Sequence, residues 1–301
     1  MPMNEGVIPL GSSDILVGRM GWGMWRLAQS NDNGATVARR VVAAVDAGCT
    51  LLDTADVYGY GGPGFGAAEQ LLGAVFDAIP GLRYRAVVAT KAGVTPPVPY
   101  NSGRNYLVAA CEASLRRLRT DVIDLFQIHR PDLLAHPAEV AAALDKLRKD
   151  GKIRAAGVSN YTAEQTRALV AHLPFALATI QPEFSAAATA ALTDGTLDLA
   201  MELGLGVLAW SPLAQGRLTT ATPDGSLVAL LQTLDDVASQ LQVTRTAVAY
   251  AWVMQHPASP IPLIGSQNPD RIREATASAG LRLPPQEWYR ILVSSRGSPM
   301  P

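Results

Sequence analysis

Short apolar runs of strand length recur along the chain, and each ends in polar residues or a glycine turn. The run 50–52 leads into Asp53, 86–89 into Thr90 and Lys91, 122–128 into His129, and 153–158 into Ser159 and Asn160. Further on, 177–180 leads into Gln181, 207–210 into Ser211, and 261–264 into Gly265 and Ser266. These runs are predominantly apolar rather than cleanly alternating, as strands covered on both faces are. Most are separated by about the 30 residues that a strand-helix-strand unit needs. The interval between 210 and 265 is longer, and residues 227–256 read as extra helix inserted there.

The intervening stretches 35–47, 67–78, 106–118, 137–149 and 163–170 carry apolar residues at three- and four-residue spacing, the helical period. Thr162 and Gln165 form a capping-box pair, Pro137 suits a first helical turn, and Gly48 and Gly151 suit helix exits. An eighth strand is needed before Asp53. The candidate is 16–22, preceded by a short hairpin over 7–15. Eight strand-then-helix units predict an α/β fold, a (β/α)8 TIM barrel with a short N-terminal hairpin and extra helices late in the chain. No linker-like composition interrupts residues 1–301, which are expected to form one domain.

Composition narrows the class. Hydrophobic residues make up 48% and charged residues 17%, with 25 basic against 26 acidic side chains. So balanced a charge offers no footprint for nucleic acid or an anionic membrane surface. No apolar run approaches the ~20 residues of a spanning helix, and residues 1–11 lack the basic-then-apolar pattern of a secretory leader. Two cysteines, Cys49 and Cys111, supply neither a disulfide framework nor a metal site. The expected setting is the cytoplasm.

In a barrel of this kind the strand ends converge on one mouth. Asp53, Lys91 and His129 fall there on consecutive strands, and Tyr58 follows Asp53 in a loop able to turn back. A phenol with a pKa near ~10 releases its proton poorly at neutral pH. An adjacent ammonium favours the phenolate, and a carboxylate compensates the ammonium. A histidine can hydrogen-bond an oxygen held between it and the tyrosine. Such a set delivers a proton to a carbonyl oxygen while a hydride reaches the carbon, which implies a nicotinamide cofactor.

The segments Leu52-Asp53-Thr54-Ala55-Asp56-Val57-Tyr58-Gly59, Ala89-Thr90-Lys91, Ile123 through Pro131, Gly157-Val158-Ser159-Asn160, Ala209 through Leu213 with Gly216, and Ile261 through Ser266 resemble the aldo-keto reductases, bacterial-type NADP-dependent oxidoreductases, over essentially the whole length. The resemblance implies Tyr58 as general acid, Lys91 as its tuning group, Asp53 as the partner of Lys91, and His129 orienting the carbonyl. It implies that Ser159, Asn160 and Gln181 hydrogen-bond the nicotinamide carboxamide and that Trp210 stacks on the ring. Gly23, Met24 and Trp25 match the segment whose backbone lies along cofactor and substrate. Ser211, Pro212, Leu213 and Gly216 match the loop around the pyrophosphate. Ser266 and Arg271 match positions at the 2'-phosphate of NADP, and Glu274 one near the adenine. Gly265 stands where many members carry lysine, and Ala275 where asparagine often follows the glutamate. NADP(H) is thus the expected cofactor, with NAD(H) bound more weakly. The expected partner is a small carbonyl substrate, and the expected state a monomer.

Two other readings use the same features: a nucleotide-binding sensor or regulatory subunit with little turnover, and a metal-dependent lyase, which would need a clustered ligand set. The glycines at 59–66 are interrupted by Pro63 and read as a flexible loop. His136, His172 and His256 read as capping or surface residues, and Arg116, Arg117 and Arg119 as a solvated basic helix end.

Overall fold

The computed structural model describes residues 6–29, 33–219 and 225–300. Residues 1–5, part of the segment read for a leader, lie outside the described residues. Two short strands, β1 (Val7–Pro9) and β2 (Leu16–Gly18), form an antiparallel hairpin. Eight parallel strands then close a barrel: β3 (Gly21–Gly23), β4 (Leu51–Asp53), β5 (Val87–Ala92), β6 (Ile123–Ile128), β7 (Ile153–Ser159), β8 (Thr179–Gln181), β9 (Gly206–Ala209) and β10 (Ile261–Ile264). Strand β10 pairs with β3 and β9, so the ring is complete.

The helices alternate with the strands: α1 (Gly34–Asp46), α2 (Ala67–Ala78), the single turn α3 (Leu82–Arg85), α4 (Arg104–Leu118), α5 (Pro137–Lys149), α6 (Ala163–Val170) and α7 (Thr196–Leu203). Residues 227–256, read as added helix, hold two helices, α8 (Val228–Leu241) and α9 (Arg245–Met254). Gln242 in the left-handed region ends the first, and the Thr244 side chain caps the second. Two more follow, α10 (Pro269–Ala277) and α11 (Pro285–Arg296). The expected capping box at Thr162 and Gln165 is formed, and Pro137 occupies the first turn of α5.

One strand assignment needs correction. The apolar segment 16–22 is two strands rather than one: 16–18 belongs to the hairpin, and only 21–23 enters the barrel. A bend at Arg19–Met20 separates them, flanked by Gly18 and Gly21, which break the apolar pattern there.

The hairpin stoppers the barrel floor. Leu10, Ile15 and Val17 pack against Leu51, Ala89, Leu125, Leu208 and Leu263 in one buried cluster. Gly11 makes this seating feasible, because a Cβ there would collide with the backbone of Ala178 and Gly206. A larger core fills the space between barrel and helices. Late in the chain the Trp252 and Trp288 rings stack at 5.0 Å, and each indole N–H donates to the other residue's carbonyl. This fixes α11 against α9, so the C-terminal segment is a docked helix.

With the floor closed, the functional groups must lie at the opposite end, where the strands finish.

Candidate active site

Asp53 is the last residue of β4, Lys91 lies near the end of β5, and His129 follows β6 directly. Tyr58 comes back over the mouth because Gly59 adopts φ 109°, and a Cβ there would collide with Gly64 and Ala67. Lys91 Nζ donates to Asp53 Oδ2 at 2.6 Å and to the Thr54 carbonyl at 2.8 Å. The pair is almost sealed, with side-chain exposures of 1% and 3%. A buried charge pair of this kind stands only when its remaining hydrogen-bond capacity is met. Gln181 Nε2 donates to Asp53 Oδ1 at 3.0 Å, and Gln127 Nε2 reaches the same atom at 3.4 Å.

The Lys91 ammonium lies 5.2 Å from the Tyr58 ring centroid, and the Tyr58 and His129 rings meet edge to face at 5.8 Å. Burial raises the Tyr58 hydroxyl above its ordinary value, outweighing the charge and hydrogen bond of Lys91, which pull it down. The lysine therefore moderates the phenol's pKa without carrying it below normal, contrary to the simple expectation from the sequence. Burial would push Lys91 down, but Asp53 and Tyr58 together outweigh it and hold the ammonium above its ordinary value. His129 is held well below the usual imidazole range, by burial first and then by the charges of Lys91 and Arg130. Its Nδ1 is buried without a protein partner.

A cleft of about 600 Å³ opens above these groups. Its wall includes Gly23, Trp25, Asp53, Tyr58, His129, Ser159, Asn160, Gln181, Trp210, Ser211, Pro212, Leu213, Gly216, Gly265, Ser266, Arg271 and Glu274. Two residues from the sequence reading do not line it. Lys91 is buried and reaches the cleft floor through Asp53 and Tyr58. Met24 turns its side chain into the core, and its N–H donates to the Asp53 carbonyl at 2.9 Å. Any contribution of Met24 to the cleft runs through its backbone.

The polar trio at the ends of β7 and β8 is joined internally. Ser159 Oγ donates to the Gln181 carbonyl at 3.0 Å, and Asn160 Nδ2 donates to Ser159 Oγ at 2.8 Å and to the His129 carbonyl at 3.2 Å. Trp210 Nε1 donates to Asn160 Oδ1 at 3.0 Å, which fixes the indole plane over the cleft. Asn160 takes φ 59° to make these contacts. The next loop bends hard: Ser211, Ala214 and Gln215 have φ of 51°, 50° and 60°, and Gly216 has 98°. Three non-glycine residues in the left-handed region cost about 1 kcal/mol or more each, a concentration found where backbone is shaped for a ligand.

Several lining residues were not singled out from the sequence: Arg26, Arg130, Gln215, Thr219, Thr246, Tyr250 and Leu263. Buried Gln127 was also missed, although it lies on β6 two residues before His129, where strand alternation points it inward at Asp53. Arg117 is not solvated as expected. Its Nε donates to Glu69 Oε2 at 2.6 Å, and Glu69, fully buried, also accepts from Thr90 Oγ1 at 2.5 Å. Asp56 lies beside this pair with both oxygens unpartnered, and burial and then Glu69 keep its carboxyl well above the ordinary range. The glycines at 59–66 do not line the cleft. His136 caps α5 as expected. Among the described residues no cluster of three or more His, Cys, Asp or Glu could hold a metal ion, and no helix is long and apolar enough to cross a membrane.

Comparison with known proteins places this architecture. The model of the Aldo/keto reductase family matches residues 19–293. A 6-dehydroglucose reductase of Novosphingobium aromaticivorans is 49% identical, covering 100% of this chain and 99% of its own. A second 6-dehydroglucose reductase, from Agrobacterium fabrum, is 34% identical over 95% and 97% of the two chains. The solved glycerol dehydrogenase of Gluconobacter oxydans superposes with a TM-score of 0.86 at 29% identity, covering 99% and 98%. The chain belongs to the aldo/keto reductase family.

Proposed function

We propose that the protein reduces an aldehyde or ketone to an alcohol with NADPH, Tyr58 giving the proton. The observation that carries this reading is the convergence of Tyr58, His129 and the Lys91–Asp53 pair at the floor of one cleft. The cleft also fits a dinucleotide. It offers an indole of fixed plane, a polar row at Ser159, Asn160 and Gln181, a sharply turned loop at 211–216, and a guanidinium at its far end. In this reading Trp210 and the polar row hold the nicotinamide, the turned loop the pyrophosphate, and Ser266 and Arg271 the 2'-phosphate; Glu274 lies near the adenine. When bound, the dihydronicotinamide supplies a hydride to the carbonyl carbon.

The protein's own groups handle the proton. Tyr58 keeps its proton through neutral pH because burial raises it. As negative charge grows on the carbonyl oxygen, the phenol proton transfers to it, and the Lys91 ammonium stabilises the phenolate left behind. Asp53 keeps that ammonium charged and aimed. His129 is neutral, and with Nδ1 turned into the protein, its Nε2–H is free to hold the carbonyl oxygen beside Tyr58.

For substrate, the two relatives named 6-dehydroglucose reductase and the glycerol dehydrogenase neighbour favour a polyhydroxylated aldehyde, 6-dehydroglucose first. The test is a thermal-shift comparison of NADPH and NADH, followed by NADPH consumption with 6-dehydroglucose, glyceraldehyde and propanal. Stronger stabilisation by NADPH and steady turnover are expected. Nucleotide binding without turnover of any aldehyde would overturn the reading.

A further inference from the structure

Arg130 has no role in the chemistry described so far, yet it occupies the cleft wall directly after His129. It is half-buried, and among the described residues its guanidinium makes no hydrogen bond and no ion pair. Its one recorded contact is with the Trp210 ring, 5.9 Å from the centroid. The other cleft arginines differ. Arg26 Nη2 reaches the Gln215 carbonyl at 3.5 Å and lies 5.4 Å from the Trp25 ring. Arg271 stands on the exposed helix α10, after β10.

Topology separates Arg130 from any phosphate served by Arg271. In the ring β10-β3-β4-β5-β6-β7-β8-β9, the strand before Arg130 is β6, diametrically opposite β10. Arg130 also follows directly on His129, and its charge acts on both Tyr58 and His129, which sets it beside the reacting groups. A guanidinium offers five N–H donors in a planar fork, and with no protein acceptor engaging it on the cleft wall, that fork is open to a ligand carrying paired oxygen acceptors.

We propose that Arg130 is a specificity-determining residue that grips a pair of oxygen acceptors on the substrate close to the reacting carbonyl, so that oxygen-bearing aldehydes are preferred over plain alkyl ones. This rests on the carbonyl-reductase reading of the same cleft. Two chemistries supply such a pair, the vicinal hydroxyls of a sugar-like aldehyde and the oxygens of a carboxylate.

The test measures kcat/KM with NADPH for glyceraldehyde, succinate semialdehyde and propanal in the wild type, R130M and R130K. Loss of charge beside Tyr58 and His129 would slow all three aldehydes alike, so the readout is the ratio of each oxygenated aldehyde to propanal. In R130M that ratio should fall on the order of 10- to 100-fold, the range for a lost charge-assisted hydrogen-bond pair. A larger fall for glyceraldehyde identifies hydroxyls as the natural acceptors; a larger fall for succinate semialdehyde identifies a carboxylate. R130K keeps the charge without the fork and should leave the glyceraldehyde ratio low. NADPH affinity, followed by its fluorescence, controls for damage to the fold and should stay within about threefold of wild type. Equal losses for all three aldehydes in R130M would overturn the role of Arg130 while leaving carbonyl reduction intact. No turnover of any aldehyde by the wild type would overturn both.

Discussion

At the floor of the cleft, Asp53, Lys91, Gln127 and Gln181 are tied by hydrogen bonds of 2.6 to 3.4 Å and shut off from solvent. At its far end, Arg271 and Glu274 stand exposed on α10 and make no hydrogen bond or ion pair among the described residues. The floor is built on strand ends, where neighbours in the ladder fix each side chain. The far end is built on a loop and a helix N-terminus, where side chains reorder at little cost. Chemistry that depends on sub-ångström placement gains from the first arrangement. Recognition of a charged group that must also be released gains from the second.

Substitutions can break this contrast. The largest effect is expected at the floor. Asp53→Asn removes the countercharge of a buried ammonium and leaves it with neutral acceptors, the Thr54 carbonyl and the Tyr58 hydroxyl. Unfolding in denaturant should show a loss of about 3–5 kcal/mol, the usual result of orphaning one member of a buried pair. A loss below about 1 kcal/mol would mean the floor is not the rigid unit described. At the far end Arg271→Ala should leave stability nearly unchanged and raise KM for NADPH about tenfold, with KM for NADH little altered. Equal changes for both nucleotides would remove the 2'-phosphate role of Arg271.

Acidity sharpens the same comparison. The proposed mechanism requires Tyr58 protonated and His129 neutral. The tyrosine is raised and the histidine lowered, so both shifts widen the working range. The pH profile of kcat/KM for the aldehyde should be flat between about pH 6 and pH 10, the ordinary values of the two groups. A descending limb at about pH 8 would show that Tyr58 is not held up by burial. The smallest effect is expected from salt. Raising ionic strength should weaken NADPH binding through the exposed Arg271 while leaving kcat unchanged, because the floor pair is shielded from ions. A parallel fall in kcat would place screened charges in the chemical step.

Much of this was readable from the chain. Predominantly apolar runs of strand length, alternating with helical stretches, fit strands covered on both sides, whose polar ends meet at one mouth, as Asp53, Lys91 and His129 do. The N-terminal strand differs from its sequence reading because Gly18, Arg19 and Gly21 break the 16–22 segment at the bend at 19–20, a mark that spans too few residues to stand out beside its apolar neighbours. Arg117 was misread because its neighbours Arg116 and Arg119 suggest a solvated cluster; its partner Glu69 lies 48 residues away on α2. Gln127 was legible from alternation along β6. Arg130 was not, since it leaves the strand for a loop, where side-chain direction follows no period. Its missing partners become visible only when the whole cleft is assembled.

The most direct test is single-turnover oxidation of bound NADPH by an aldehyde in the wild type and in Tyr58→Phe, which deletes one hydroxyl and keeps the ring. The account predicts NADPH affinity within about threefold of wild type and hydride transfer slowed by about 10²- to 10⁴-fold, the range for a lost general acid. Hydride transfer at the wild-type rate in the phenylalanine variant would contradict it.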